Sequence, residues 1–115
     1  MKIMSTDITG VFEVATEPIA DDRGDFARSY CREEFRAAGI NLDVSQTNIS
    51  RNRRRGTLRG LHYQAEPPPD PKLVRCTRGR VFDVAVDLRP QSDTFCRWTS
   101  AELTPENQNA LFVPP

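Results

Sequence analysis

Residues 72–88 read Lys72-Leu73-Val74-Arg75-Cys76-Thr77-Arg78-Gly79-Arg80-Val81-Phe82-Asp83-Val84-Ala85-Val86-Asp87-Leu88. The pattern predicts a hairpin, with arms Lys72 to Thr77 and Arg80 to Leu88 joined by a turn at Arg78-Gly79. In the second arm Val81, Asp83, Ala85 and Asp87 share one face, and Phe82, Val84, Val86 and Leu88 the other.

Short strands continue outward on both sides. Toward the C-terminus, Trp98 to Leu103 is a strand, Thr104-Pro105-Glu106-Asn107 a capped turn, and Ala110 to Val113 another strand. Toward the N-terminus, Val11 to Val14 alternates weakly and ends before Pro18. Asp21 to Gly24 is a turn, Phe26 to Tyr30 a strand, and Arg32 to Ala38, closed by Gly39, a short helix. Asp43 to Ser50 returns to strand and Arg51 to Gly56 forms a basic loop. Thr57 to Tyr63 alternates as a strand would, with Leu58, Gly60, His62 and Gln64 on one face. Glu66 to Pro71 holds four prolines, which remove donors and fix the backbone, and it is excluded from regular structure. Many short strands with close turns predict an all-β sandwich or barrel.

At 115 residues the chain is expected to form one domain, 1–115. Its apolar runs are only a few residues long, far below the roughly 20 that a membrane-spanning helix needs. Asp7 and Glu13 interrupt anything resembling a leader, so the expected location is the cytoplasm. Sixteen basic and sixteen acidic side chains balance, but not evenly along the chain. Residues 1–50 carry five basic and nine acidic groups, residues 51–80 nine against two, and residues 81–115 two against five. All but Lys2 and Lys72 of the cations are arginine, whose planar fork suits phosphate or carboxylate. The plain alternative for Arg51-Asn52-Arg53-Arg54-Arg55 is a solvated loop.

Cys31, Cys76 and Cys96 are odd in number and have no CxxC spacing, which predicts reduced and mostly buried thiols rather than zinc or redox chemistry. His62 is the only histidine. It is either structural or a base, since imidazole titrates nearest physiological pH. Lys72 is either a surface ammonium or the partner of a developing oxyanion. No His-x-His pair accompanies His62, so no metal is expected.

Several ordered motifs then point one way. Asp22-Arg23-Gly24, Gln46-Thr47-Asn48-Ile49-Ser50, Gly56-Thr57-Leu58-Arg59-Gly60-Leu61-His62-Tyr63-Gln64 and Lys72-Leu73-Val74-Arg75 resemble the dTDP-4-dehydrorhamnose 3,5-epimerase family. So do Gly79, Val81 to Arg89, Ser92-x-Thr94-Phe95, Trp98 and Leu103-Thr104-x-Glu106-Asn107. The resemblance runs from about residue 8 to the last. It implies a cupin-like jelly roll with one short helix, acting as a homodimer on a thymidine-diphosphate 4-keto-6-deoxyhexose. A base would remove the proton at carbon 3 or 5 beside the ketone, and an acid would return one on the opposite face. No cofactor and no metal are implied, because the substrate's carbonyl acidifies those protons.

Residue by residue, the resemblance makes His62 the base and Lys72 the group that stabilises the enolate. Arg23, Gln46, Asn48 and Arg59 become nucleotide-sugar contacts, and Asp83 a buried carboxylate near the active site. Two departures stand out. Arg28 occupies a position that is usually acidic, and the loop between Asn48 and Arg59 is arginine-rich with one extra residue. Family members continue past Leu111-Phe112-Val113-Pro114-Pro115 into a Gly-Phe-x-His-Gly-Phe segment and further strands. The tyrosine acid, a second histidine and the carboxylate that orients the base are expected there, so these 115 residues alone are expected to turn over little substrate. Tyr30 and Tyr63 do not match the acid's position. The alternatives are a non-catalytic nucleotide-sugar binder working through residues 46–80, or nucleic-acid binding through Arg51 to Arg55. The latter lacks interleaved aromatics, and no nucleic-acid or membrane partner is expected.

Overall fold

The computed structural model describes residues 1–67 and 69–115. Among them the elements run β1 (Lys2–Ser5), β2 (Phe12–Ala15), β3 (Ile19–Asp21), β4 (Gly24–Phe26), α1 (Arg32–Ala37), β5 (Lys72–Arg75), β6 (Val81–Val86), β7 (Trp98–Leu103) and β8 (Ala110–Val113). The main sheet is antiparallel with order β1-β2-β8-β5, while β6 and β7 form a second pair and β3 and β4 a small hairpin.

Strand β8 explains this order. Its four residues, Ala110-Leu111-Phe112-Val113, are apolar throughout, so both of its faces need cover. In the central sheet they obtain it, because successive side chains point to opposite faces. Leu111 joins Ile8, Val11, Cys76, Ala85 and Leu103 between the two sheets. Ala110 and Phe112 pack on the far side with Val14, Phe35, Ile40 and Leu42. Fully burying Leu111, 1% exposed, stabilises the fold by about 2 kcal/mol.

Helix α1 seals that far face through Phe35, which is completely buried. Glu33 and Glu34 lie in its first turn, where the helix dipole favours acids, and Arg36 in its last. Gly39, at φ +79°, takes the left-handed conformation that ends the helix, and its N–H donates to the Arg36 carbonyl at 2.9 Å. The capped turn forms as the sequence predicts. The Thr104 N–H donates to Asn107 Oδ1 and the Asn107 N–H to Thr104 Oγ1, each at 3.1 Å.

Four expectations are corrected. Residues 72–88 are not a hairpin: β5 pairs with β8, and β6 pairs with β7. The turn at Arg78-Gly79 carries the chain from one sheet to the other, so Val74 of β5 and Val81 of β6 pack against the same core from different sheets. Residues 27–30, 43–50 and 57–63 contain no strand, since a strand exists only where a neighbour completes its ladder. Strands β1 and β3 form where none was expected. The thiols are not mostly buried, since only Cys76 is; Cys31 is half-buried and Cys96 exposed. Of the proline segment, Pro68 lies outside the described residues, and the rest has no helix or strand.

Candidate active site

Residues 43–67 run over the surface as an exposed strap. Gln46, Asn48, Arg59 and His62 all lie on it. Gly60 shapes the approach to the histidine. Its φ of +108° is open only to glycine, and a Cβ built there would lie 3.2 Å from His62 Nδ1 and 3.4 Å from Cε1. A bare residue at 60 therefore lets the imidazole sit against its own backbone. Arg59 is held by the strap itself. Its Nε donates to Asn52 Oδ1 at 2.7 Å, and its Nη2 donates to the Arg51 carbonyl at 3.4 Å.

Lys72 opens β5, opposite Val113. It shares a strand face with Val74, which packs into the core between the sheets. One backbone unit joins it to the histidine's segment. The Asp70 N–H donates to Gln64 Oε1 at 3.0 Å, and the Asp70 carbonyl accepts from Lys72 Nζ at 3.1 Å. Gln64 is two residues from His62, so Asp70 ties the two candidate groups at one point of the chain.

Asp83 sits on the inner face of β6 between Val81 and Ala85, opposite Ala101 of β7. It is half-buried, and its Oδ2 is buried without a hydrogen-bond partner among the described residues. Burial pushes the carboxyl above its ordinary range, with partial relief from the Val84 N–H. Lys72 and Asp83 thus stand on the facing surfaces of the two sheets. Among the described residues no hydrogen bond or ion pair joins His62, Lys72 and Asp83.

Arg23 lies apart, in the turn between β3 and β4. Asp21 accepts from its backbone N–H at 2.9 Å and from its Nε at 3.0 Å. This bond lowers the Asp21 carboxyl's pKa. Arg28, the residue at a usually acidic position, is engaged elsewhere: it donates to Glu34 of α1 at 2.6 Å, beside the Met1 ammonium at 2.8 Å. Tyr30 is also committed, its hydroxyl donating to the Leu42 carbonyl and its ring lying 5.2 Å from Phe35. Tyr63 is exposed.

Sequence reasoning missed two features. One is the Asn52 contact to Arg59, for which an Asn seven residues before an Arg is no signal. The other is a buried network on Asp87, just beyond β6. Its carboxylate accepts from Arg89 Nε and Nη2, both at 2.8 Å, and from the hydroxyls of Ser92 and Thr94, both at 2.6 Å. The spacing Asp-x-Arg followed by Ser-x-Thr was visible, but nothing in it says that all four side chains converge.

A two-sheet β sandwich with a covered outer face and its ionisable candidates on the inner faces and strap is a cupin-like jelly roll. The model of the dTDP-4-dehydrorhamnose 3,5-epimerase family matches residues 5–115, and the chain belongs to that family. It is 42% identical over 115 residues to the dTDP-4-dehydrorhamnose 3,5-epimerase of Shigella flexneri, covering 99% of this chain and 63% of that protein. The Bacillus anthracis dTDP-4-dehydrorhamnose 3,5-epimerase, solved with TDP and PPi bound, superposes with a TM-score of 0.93. The identity is 35%, over 98% of this chain and 65% of that one. The Legionella pneumophila dTDP-6-deoxy-D-glucose-3,5-epimerase, solved in complex with dTDP-4-keto-L-rhamnose, gives 0.89 at 37% identity, over 98% of this chain and 60% of that one. The chain thus spans less than two thirds of the length of each of these relatives.

Proposed function

We propose that the protein epimerises a thymidine-diphosphate 4-keto-6-deoxyhexose in deoxysugar biosynthesis. His62 takes the proton from carbon 3 or carbon 5, the electron pair moves into an enolate, and the Lys72 ammonium stabilises the charge on the carbon-4 oxygen. Reprotonation from the opposite face completes the inversion, through an acid that we assign to none of residues 1–115. Arg23, Gln46, Asn48 and Arg59 contact the nucleotide-sugar. Asp83 supplies a carboxylate on the inner face of β6, on the sheet that faces Lys72. No cofactor or metal enters the proposed steps, because the ketone itself acidifies the neighbouring carbons.

The observation that carries this reading is the Asp70 junction, which ties the segment of the only histidine to the Lys72 ammonium in a chain of this family. The bound TDP and dTDP-4-keto-L-rhamnose of the solved relatives support the substrate class. The proposed working form is a homodimer in the cytoplasm. Ile19 and Phe26, paired across the β3–β4 hairpin and 75% and 77% exposed, are apolar surface suited to a second copy. Three unpaired thiols fit a reducing compartment.

The test is solvent-deuterium incorporation into the sugar ring by the protein expressed from its complete coding sequence. Deuterium is expected at carbon 3, carbon 5 or both, with His62→Asn abolishing exchange while dTDP binding persists. Exchange that survives His62→Asn removes the histidine from the mechanism. Binding without exchange in the unsubstituted protein makes it a nucleotide-sugar binder.

A further inference from the structure

We propose that Asn52 is a positioning residue that aims the guanidinium of Arg59 at the diphosphate of the ligand. The inference rests on the reading of Arg59 as a nucleotide-sugar contact; it assigns that contact to the diphosphate and adds the element that presents it.

A guanidinium has two edges able to make paired hydrogen bonds: the side edge, Nε with Nη2, and the end edge, Nη1 with Nη2. In Arg59 the side edge is occupied by the chain's own loop. Nε donates to Asn52 Oδ1 at 2.7 Å, and Nη2 makes a longer contact of 3.4 Å to the Arg51 carbonyl. Among the described residues nothing bonds Nη1, so the end edge, Nη1 with the second N–H of Nη2, keeps donors for a planar or tetrahedral oxyanion. The chemistry of the partner matters as much as its position. Arg23, Arg28, Arg32, Arg80 and Arg89 are each paired with a carboxylate, which cancels their charge locally. Arg59 is held by an amide oxygen and a peptide carbonyl, so its full positive charge stays available.

The surroundings reinforce this. No acidic residue occurs between Arg51 and Ala65, and none of the ion pairs among the described residues involves Arg51, Arg53, Arg54 or Arg55. The Thr57 hydroxyl donates to the Arg54 carbonyl at 2.8 Å and closes the loop on itself. A loop that fixes Arg59 through one amide side chain and one peptide carbonyl, and among the described residues pairs none of its cations with a carboxylate, is built to present positive charge outward.

The experiment is a double-mutant cycle on the protein expressed from its complete coding sequence, with dTDP and thymidine as the two probes. Asn52→Ala is expected to weaken dTDP binding about fivefold, the scale of one lost positioning hydrogen bond. Thymidine affinity, which needs no phosphate contact, is expected to stay unchanged and reports that the fold is intact. In turnover, KM rises and kcat holds. In an Arg59→Ala background, Asn52→Ala is expected to have no further effect on dTDP. Equal loss for both probes, or the same loss in both backgrounds, makes Asn52 merely structural and overturns the proposal. If the unsubstituted protein binds no dTDP, the functional reading falls and this inference with it. If it binds dTDP and the cycle is additive, only this inference falls.

Discussion

Asp83 and Asp87 occupy the same face of one β-strand and its extension, four residues apart, yet their carboxyls live in opposite worlds. Arg89 first, then Ser92 and Thr94, hold the Asp87 carboxyl far below the ordinary carboxylate range. Because the folded-state pKa is depressed, the stability Asp87 contributes is complete above about pH 5 and is lost as pH falls through its unfolded value near 4 and below. Asp87→Ala should cost about 3 kcal/mol at pH 7, since it strands Arg89 and two hydroxyls. The same variant should also flatten the acid limb of a stability–pH curve measured by urea unfolding. Asp83 has the reverse sign: burial raises its pKa, so its penalty is absent at low pH and grows as pH rises through the unfolded value toward the folded one. Replacing it with Val should stabilise the fold by about 1 kcal/mol at pH 7 and lower turnover, the exchange expected of a carboxylate kept for chemistry. An Asp83→Val protein that is less stable at pH 7 would sink that account.

At the scale of elements, patterning was legible in the strands that supply most of the core, though not in β1, whose Ile3 alone reaches the far-side cluster. Trp98–Leu103 and Ala110–Val113 form over the residues that the sequence marks, and the helix forms within one residue of its expected end. Pairing partners were not legible. Alternation says which way a side chain points, not which neighbour completes the ladder, and so residues 72–88 looked like a hairpin when β8 takes β5 and β7 takes β6. The strap from 43 to 67 misled for a related reason, since its β-branched and alternating residues have the pattern of strands but no paired edge. The site shared this split. Residue types at Arg59, His62 and Lys72 were readable, whereas the Asp70 junction and the Asn52 clasp depend on turns that no local pattern encodes. Because the strap is exposed, local geometry there can be changed with little effect on the core. Gly60→Ala places a methyl 3.2 Å from His62 Nδ1 and 3.4 Å from Cε1, close enough to push the ring aside, at a φ that disfavours any side chain. It is expected to lower kcat for ring deuterium exchange at least tenfold on the scale of a misplaced base, with the melting temperature shifted by only a few degrees. Unchanged exchange in Gly60→Ala would show that the imidazole does not rely on that close approach.

Across the whole molecule, zero net charge conceals a basic middle between two acidic ends. The structure concentrates that middle: Arg51, Arg53, Arg54 and Arg55 sit on the exposed strap, on the same segment as Asn48, Arg59 and His62. Exposed charges act over about a Debye length, ~10 Å at 0.1 M salt, so these arginines attract an anion before contact and are screened as salt rises. A diphosphate carries enough charge to feel such a field, and the acidic ends leave the strap as the preferred face of approach. The expected consequence is a kcat/KM that falls several-fold between about 0.05 and 0.5 M salt, with kcat nearly constant, because steering affects encounter rather than chemistry. Arg53→Gln combined with Arg54→Gln should flatten that dependence while leaving kcat unchanged, since neither residue is assigned a contact to the reacting atoms. A salt dependence identical in the double variant would mean that the strap's charge plays no part in capture, and that recognition begins only once the diphosphate meets Arg59.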